Sequence, residues 1–326
     1  MVLAGISRRR FLLPALGVAI VVAAVAVGAI VAGTDNGSQG NGSSSSSLVT
    51  VSRTSDLAVL DLATGRVRLI TDSTRGYVAV SSPTWSPDGR RIAVGRQRCR
   101  TCPFRLAVAG ADGTGLEDVP GWRREANEPD WSPSGLKLVF TTSEDGERKL
   151  ALLDLRSGRG RELEVREEEE EEEAGSAHGE SGEAPNHPVF SPDGSALSFD
   201  AEASRERTRL FLFHRTLGYL HELQSDADHN AYPAFSPTGR SLAFSQTDAR
   251  STWDVCVLRL DTGRQECPTQ GPSNDVEPSW LPNGGSLVFA TDRDDPQQRL
   301  IRSLYSVRLD GSGLRRLTRG LHCGHA

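Results

Sequence analysis

Pro83-Thr84-Trp85-Ser86-Pro87-Asp88-Gly89 returns four more times along the chain. The copies are Pro129-Asp130-Trp131-Ser132-Pro133-Ser134-Gly135, Pro188-Val189-Phe190-Ser191-Pro192-Asp193-Gly194, Pro233-Ala234-Phe235-Ser236-Pro237-Thr238-Gly239 and Pro278-Ser279-Trp280-Leu281-Pro282-Asn283-Gly284. Their aromatic residues lie 46, 59, 45 and 45 residues apart. Ser-Pro-Asp-Gly suits a type I turn, with Pro setting φ at the second position and Gly at the fourth. Three residues beyond each Gly stands Ile92, Leu138, Leu197, Leu242 or Leu287, and two further on Val94, Phe140, Phe199, Phe244 or Phe289. That is a period of two, a strand with one large apolar face. Ala93, Val139, Ser198, Ala243 and Val288 between them are small or modest. Both faces therefore suit a strand packed between neighbouring sheets.

A second hairpin completes each unit. Leu57-Ala58-Val59-Leu60-Asp61-Leu62 passes through Ala63-Thr64-Gly65 into Arg66-Val67-Arg68-Leu69-Ile70, and the matching turn glycines are Gly115, Gly158, Gly218, Gly263 and Gly313. Repeats of about 45 residues with this strand content point to propeller blades. Six outer hairpins against five inner ones make six blades the economical count. The interval of 59 residues implies an insertion of about 14.

The inner hairpin, followed by segments such as Leu304-Tyr305-Ser306-Val307-Arg308-Leu309-Asp310-Gly311-Ser312-Gly313-Leu314-Arg315-Arg316-Leu317-Thr318, resembles the WD-like β-propeller repeat of the TolB family. The resemblance runs from about Leu48 to Thr318. It implies an all-β, six-bladed β-propeller used as an interaction scaffold. The domain that precedes the propeller in that family has no counterpart in this sequence, so that family's own partners are not carried over. The first blade lacks a Ser-Pro-Asp-Gly unit. Either Arg319 to Ala326 closes the ring irregularly, or that blade has three strands.

Outward from the repeat, the chain changes character. Residues 1–10 form a short basic tail ending in Arg8, Arg9 and Arg10, and residues 11–32 are free of charge. At 1.5 Å per residue such a run matches a hydrocarbon core of roughly 30 Å. It reads as a single N-terminal transmembrane helix, with the arginines cytoplasmic and the rest outside. Ala24-Val25-Ala26 offers a signal-peptidase site, and Ser7-Arg8-Arg9-Arg10-Phe11-Leu12 is similar to the twin-arginine export motif. The expected product is a single-pass protein of a bacterial cell membrane, or a secreted one if that segment is cleaved. Residues 33–47, rich in Gly and Ser, read as a flexible linker, and residues 48–326 as the propeller.

The chain of 326 residues carries 33 Gly, 17 Pro and a formal net charge of -6. That balance argues against a nucleic-acid binder, which needs a basic face. Beyond residue 33 the net charge is -9, and all of it lies in residues 167–184, which include an unbroken run from Glu167 to Glu173. Adjacent carboxylates repel, so this insertion is expected to be a disordered, solvated spacer in one loop.

The residue before each repeat proline is expected to start an innermost strand and face the mouth of the central channel. These positions hold Ser82, Glu128, His187, Tyr232 and Glu277, with Asn127, Asn186, Asn230 and Asp275 beside them. They form a mixed hydrogen-bonding ring, a candidate ligand-binding mouth. In an exported protein cysteines default to disulfides. Cys256 and Cys267 flank one hairpin turn, and Cys99 and Cys102 staple a loop, which leaves Cys323 as an odd thiol. No G-x-S-x-G elbow and no phosphate-binding glycine loop occurs. The expected protein is a monomeric, non-catalytic scaffold for a protein or cell-envelope partner, with no cofactor, no resident metal and no catalytic residue. The alternative from another class is a small-molecule lyase or hydrolase with a metal-assisted site, using His187, Glu128, Glu277 and Tyr232.

Overall fold

The computed structural model describes residues 48–318 apart from 54–55, 63, 71–78, 166–183, 205–206, 216, 224, 226, 248–251 and 295–302. The basic tail, the apolar run 11–32, the linker, Cys323 and all but the last residue of the acidic insertion lie outside the described residues. Among the described residues there is no helix, so none is long and apolar enough to cross a membrane.

Strands follow one another in antiparallel groups. Sheet 1 contains β1 (Leu48–Arg53), β2 (Asp56–Asp61) and β3 (Val67–Leu69). Sheet 2 contains β4 (Ala79–Trp85), β5 (Arg91–Gln97), β6 (Arg105–Gly110) and β7 (Glu117–Asp118). Sheet 3 has β8 (Glu125–Trp131), β9 (Lys137–Glu144), β10 (Glu147–Asp154) and β11 (Gly160–Glu162). Sheet 4 has β12 (Pro185–Phe190), β13 (Ala196–Ser204), β14 (Arg207–His214) and β15 (Tyr219–Leu223). Sheet 5 has β16 (His229–Phe235), β17 (Ser241–Thr247), β18 (Trp253–Arg259) and β19 (Gln265–Glu266). Sheet 6 has β20 (Asp275–Trp280), β21 (Ser286–Thr291), β22 (Ser303–Arg308) and β23 (Arg315–Arg316). A single parallel pairing, Thr208 with His229, joins sheets 4 and 5.

The repeat turn explains its own sequence. In each copy the Gly N–H donates to the carbonyl three residues earlier, as in Gly89 to Ser86 at 2.8 Å and Gly284 to Leu281 at 2.9 Å. These glycines take positive φ, from 63° to 73°, which L side chains disfavour. The turn serine has a second task. Ser86 Oγ accepts the N–H of Arg91 at 2.9 Å, and Ser132, Ser191 and Ser236 receive Lys137, Ala196 and Ser241 likewise. Each hydroxyl thereby satisfies the first amide of the following strand.

The core sits between sheets. Ile92, Leu138, Leu197, Leu242 and Leu287 are all fully buried, and so are Val94, Phe140, Phe244 and Phe289. Leu57 and Val59 pack on Trp85 and Ile92, joining sheets 1 and 2. Ala93 and Leu106 meet Trp131 and Phe140, and Val139 and Leu150 meet Phe190 and Phe199. Leu210 then packs with Phe244, and Val255 with Phe289. The last cluster unites Ala58 and Leu60 of sheet 1 with Val276, Ala290 and Leu304 of sheet 6. First and last sheets are thus neighbours, and the sheets form a closed, propeller-like ring.

Two tryptophans tie neighbouring inner strands together. Trp131 Nε1 donates to the Thr84 carbonyl at 3.2 Å, and Trp280 Nε1 to the Ala234 carbonyl at 2.9 Å. Trp85 occupies the same place in sheet 2, yet its buried Nε1 has no partner among the described residues. Sheet 1, on the side where that partner would stand, shows three strands and no innermost one among the described residues.

Candidate functional site

The five innermost strands β4, β8, β12, β16 and β20 share an irregularity. Their pairing shifts between Ser81 and Thr84, Asn127 and Asp130, Asn186 and Val189, Ala231 and Ala234, and Val276 and Ser279. The two residues skipped each time are the X-Pro step. Proline has no N–H for the ladder, and it disfavours the right-handed helical conformation in the residue before it. Ser82, Glu128, His187, Tyr232 and Glu277 take φ of 47°, 53°, 48°, 58° and 56°, left-handed rather than the extended conformation that a following proline by itself favours. A bulge of this kind re-aims a side chain. These residues therefore lie in mid-strand, where the sequence placed them at the strand start. The correction follows from the bulge, which lets pairing resume before the proline.

Freed from the ladder, the bulge amides bond to the neighbouring sheet. His187 N donates to Glu128 Oε2 at 3.0 Å, Tyr232 N to Asp200 Oδ1 at 3.1 Å, and Glu277 N to Ser245 Oγ at 3.0 Å. Thr141 Oγ1 donates to the same Glu128 oxygen at 3.3 Å.

Three of the five expected residues converge around the imidazole of His187. Its Nδ1 lies 2.8 Å from Asp200 Oδ1 and its Nε2 3.6 Å from Glu128 Oε1. The ring of Tyr232 packs against it with centroids 4.3 Å apart. Burial disfavours a charge on the ring, but Glu128, Asp200 and the more distant Glu277 outweigh it. The His187 pKa is raised to about 9. Asp200, with 3% of its side chain exposed, is pushed upward by burial, and His187 opposes that shift. The group is an imidazolium clamped between two carboxylates.

Ser82 shares the backbone geometry but makes no side-chain hydrogen bond among the described residues. The neighbouring polar residues turn to other tasks. Asn127 Oδ1 accepts from Ser81 Oγ at 2.7 Å, and Asn186 Nδ2 donates to the Ala184 carbonyl at 3.0 Å. Asn230 Nδ2 donates to the Ala227 carbonyl at 3.2 Å, and Asp275 receives both contacts of Arg293 Nη2, at 2.9 and 2.7 Å. They hold loops and strands in place.

Asp200 and Asp130 were missed. Asp130 accepts from Thr84 Oγ1 of sheet 2 at 2.9 Å and from Phe190 N of sheet 4 at 2.8 Å. Burial raises its pKa to about 6. The available signal was a carboxylate inside a strand otherwise apolar, as in Leu197-Ser198-Phe199-Asp200-Ala201. Both cysteine pairs form disulfides, Cys99 with Cys102 and Cys256 with Cys267. The Cys99–Cys102 loop joins the end of β5 to the start of β6, on the face where the innermost strands begin.

Chemically, the cluster is suited to recognition. Nδ1 of His187 meets Asp200 at hydrogen-bond distance and Nε2 lies within ion-pair reach of Glu128, so opposite charges on two sides hold the ring in one orientation. Among the described residues no three His, Cys, Asp or Glu side chains form a metal-holding group.

A closed ring of antiparallel sheets with polar, bulged inner strands defines a β-propeller. The family model described as the TolB beta propeller domain matches residues 179–323, and that part of the chain is similar to a TolB propeller. The Tol-Pal system protein TolB of Alcanivorax borkumensis is 36% identical over 77 residues, which is 24% of this chain and 18% of that protein. The crystal structure of TolB from Acinetobacter baumannii superposes with a TM-score of 0.64 at 19% identity, covering 82% of this chain and 60% of that one. An oligogalacturonate lyase in complex with manganese also shares the fold, with a TM-score of 0.55 at 15% identity over 83% of this chain and 73% of that one. The chain thus spans 18% and 60% of these two TolB proteins, less than two thirds of either.

Proposed function

We propose that this protein is a six-bladed, membrane-tethered propeller on the extracytoplasmic side that binds a protein or cell-envelope component without catalysing a reaction. The observation that carries this reading is His187, whose ring is hydrogen-bonded to Asp200 through Nδ1 and ion-paired with Glu128 at 3.6 Å from Nε2. The clamped ring presents a fixed polar surface with Tyr232 beside it, at the face where the Cys99–Cys102 loop stands. Two disulfides suit an oxidising compartment. The matched relative is a component of the Tol-Pal system, which supports a protein partner in the cell envelope. The apolar run 11–32 supports a tether.

The test is crosslinking of the full chain in its native membrane, with a photoreactive residue at Tyr232 and, as control, at exposed Arg156 in the turn after β10, at the opposite end of the strands. Adducts with an envelope protein from position 232 and none from 156 are expected. Stoichiometric bound metal that disappears in His187→Ala would overturn the scaffold reading in favour of a metal-assisted enzyme.

A further inference from the structure

The opposite end of the inner strands carries a second feature, built from the repeat turns. In two copies an arginine caps the repeat aromatic and bonds the turn glycine. Arg91 lies over the Trp131 ring at 4.5 Å, and its Nη2 donates to the Gly135 carbonyl at 3.1 Å. Arg215 lies over the Phe190 ring at 5.2 Å, and its Nη1 donates to the Gly194 carbonyl at 2.6 Å. The two arginines arrive by different routes. Arg91 opens the second strand of the preceding sheet, whereas Arg215 follows the third strand of the same sheet.

At the fourth copy, that of Phe235, both routes are empty of charge. The position matching Arg91 is Ala196, the first residue of β13, just as Arg91 is of β5. The position matching Arg215 is Leu260, since both donate their N–H to the residue after the turn glycine, Ser195 and Arg240 respectively. A cavity of about 540 Å³ opens there, between sheets 4 and 5. Its lining includes Ala196, Leu260, Phe235, Gly239 and Asp193. Phe235 is half-buried, whereas the other four repeat aromatics are buried. The Gly239 carbonyl receives no hydrogen bond among the described residues. Asp193 is held well ionised by Ser191 and Ser195, its pKa lowered to about 2.

We propose that this cavity receives the guanidinium of an arginine side chain from a partner polypeptide, stacked on Phe235, bonded to the Gly239 carbonyl and balanced by the Asp193 carboxylate. The fold itself shows twice that this ring-and-carbonyl pair accepts a guanidinium. Stacking on an aromatic face and fork-like donation distinguish arginine from lysine. The wall offers an anion for the side chain but no Lys or Arg for a free α-carboxylate. That favours an arginine within a peptide over the free amino acid.

The probe is N-acetyl-L-arginine N-methylamide, titrated into the full chain and followed by saturation-transfer NMR. Binding in the millimolar range is expected, with the strongest transfer to the methylenes beside the guanidinium. The neutral citrulline analogue should bind at least fivefold more weakly, and Phe235→Leu should weaken the arginine compound by a similar factor. Ala196→Arg and Leu260→Arg each plug the cavity from one natural route and should abolish binding while the thermal midpoint stays near that of the parent. Two plugs are used so that failure of one to fold leaves the other decisive. Equal binding of the citrulline compound, or full binding in a folded plugged variant, overturns the proposal. So does free arginine binding more than tenfold tighter than the blocked compound, which would mark a small-molecule site.

Discussion

His187 shows how three carboxylates can govern one ring. Its pKa near 9 lies above the ordinary 6.5, so the stabilisation from its charge is complete below about pH 6.5 and fades as pH rises through 9. The groups facing it are Glu128 and Asp200, with Glu277 farther off. Unfolding free energy should therefore fall by on the order of 1–2 kcal/mol between pH 6.5 and 9, discounted because the side chain is partly exposed. Denaturation at a series of pH values checks this. His187→Asn should flatten the slope in that window, and an unchanged slope would place the titration elsewhere. The sequence marked His187 by its position before a proline. It did not join Asp200 to His187, because the partner lies on the second strand of the same sheet and meets the ring only once the strands pair.

At the scale of the element, the bulge of the innermost strand sets the design. Five non-glycine residues are held in the left-handed region, at a cost of about 1–2 kcal/mol apiece. At His187, Tyr232 and Glu277 the freed amides gain partners on the preceding sheet, which offsets part of that cost. Ser82 is the instructive position, with φ 47° and no side-chain hydrogen bond among the described residues. Ser82→Gly should raise stability by about 1 kcal/mol by relieving that strain. The same change at Tyr232 should not, since its ring packs on His187. Urea midpoints of the two variants make the comparison. The X-Pro step was visible in the sequence, but the bulge was not. A proline in a strand marks an edge, a first residue or a bulge alike, and only the partner strand settles which.

For the whole molecule, the ring depends on struts that cross from sheet to sheet. Asp130 joins three of them, through Thr84 and Phe190. Asp130→Ala leaves an amide and a hydroxyl unpaired and should cost about 2–4 kcal/mol. Asp130→Asn should cost less, about 1 kcal/mol, because the Thr84 hydroxyl can turn to accept from the new amide. Chemical denaturation of both variants gives the ordering, and equal losses would show that the geometry of the strut is not what matters. The packing of Ala58 and Leu60 against Val276 and Leu304 closes the circle without a shared strand among the described residues.

The repeat by itself determined the class of fold, the turns and the strand faces, since a period of two and a Ser-Pro-Asp-Gly turn are local properties of the chain. It also named the residues before the prolines and both disulfide pairs, which depend on short spans. Three things waited for the tertiary structure: the left-handed bulges, the carboxylates around His187, and the cavity at Phe235. Each arises between strands or sheets whose sequences are far apart. Hydrogen bonds and burial act there through space, and no window of sequence contains both partners.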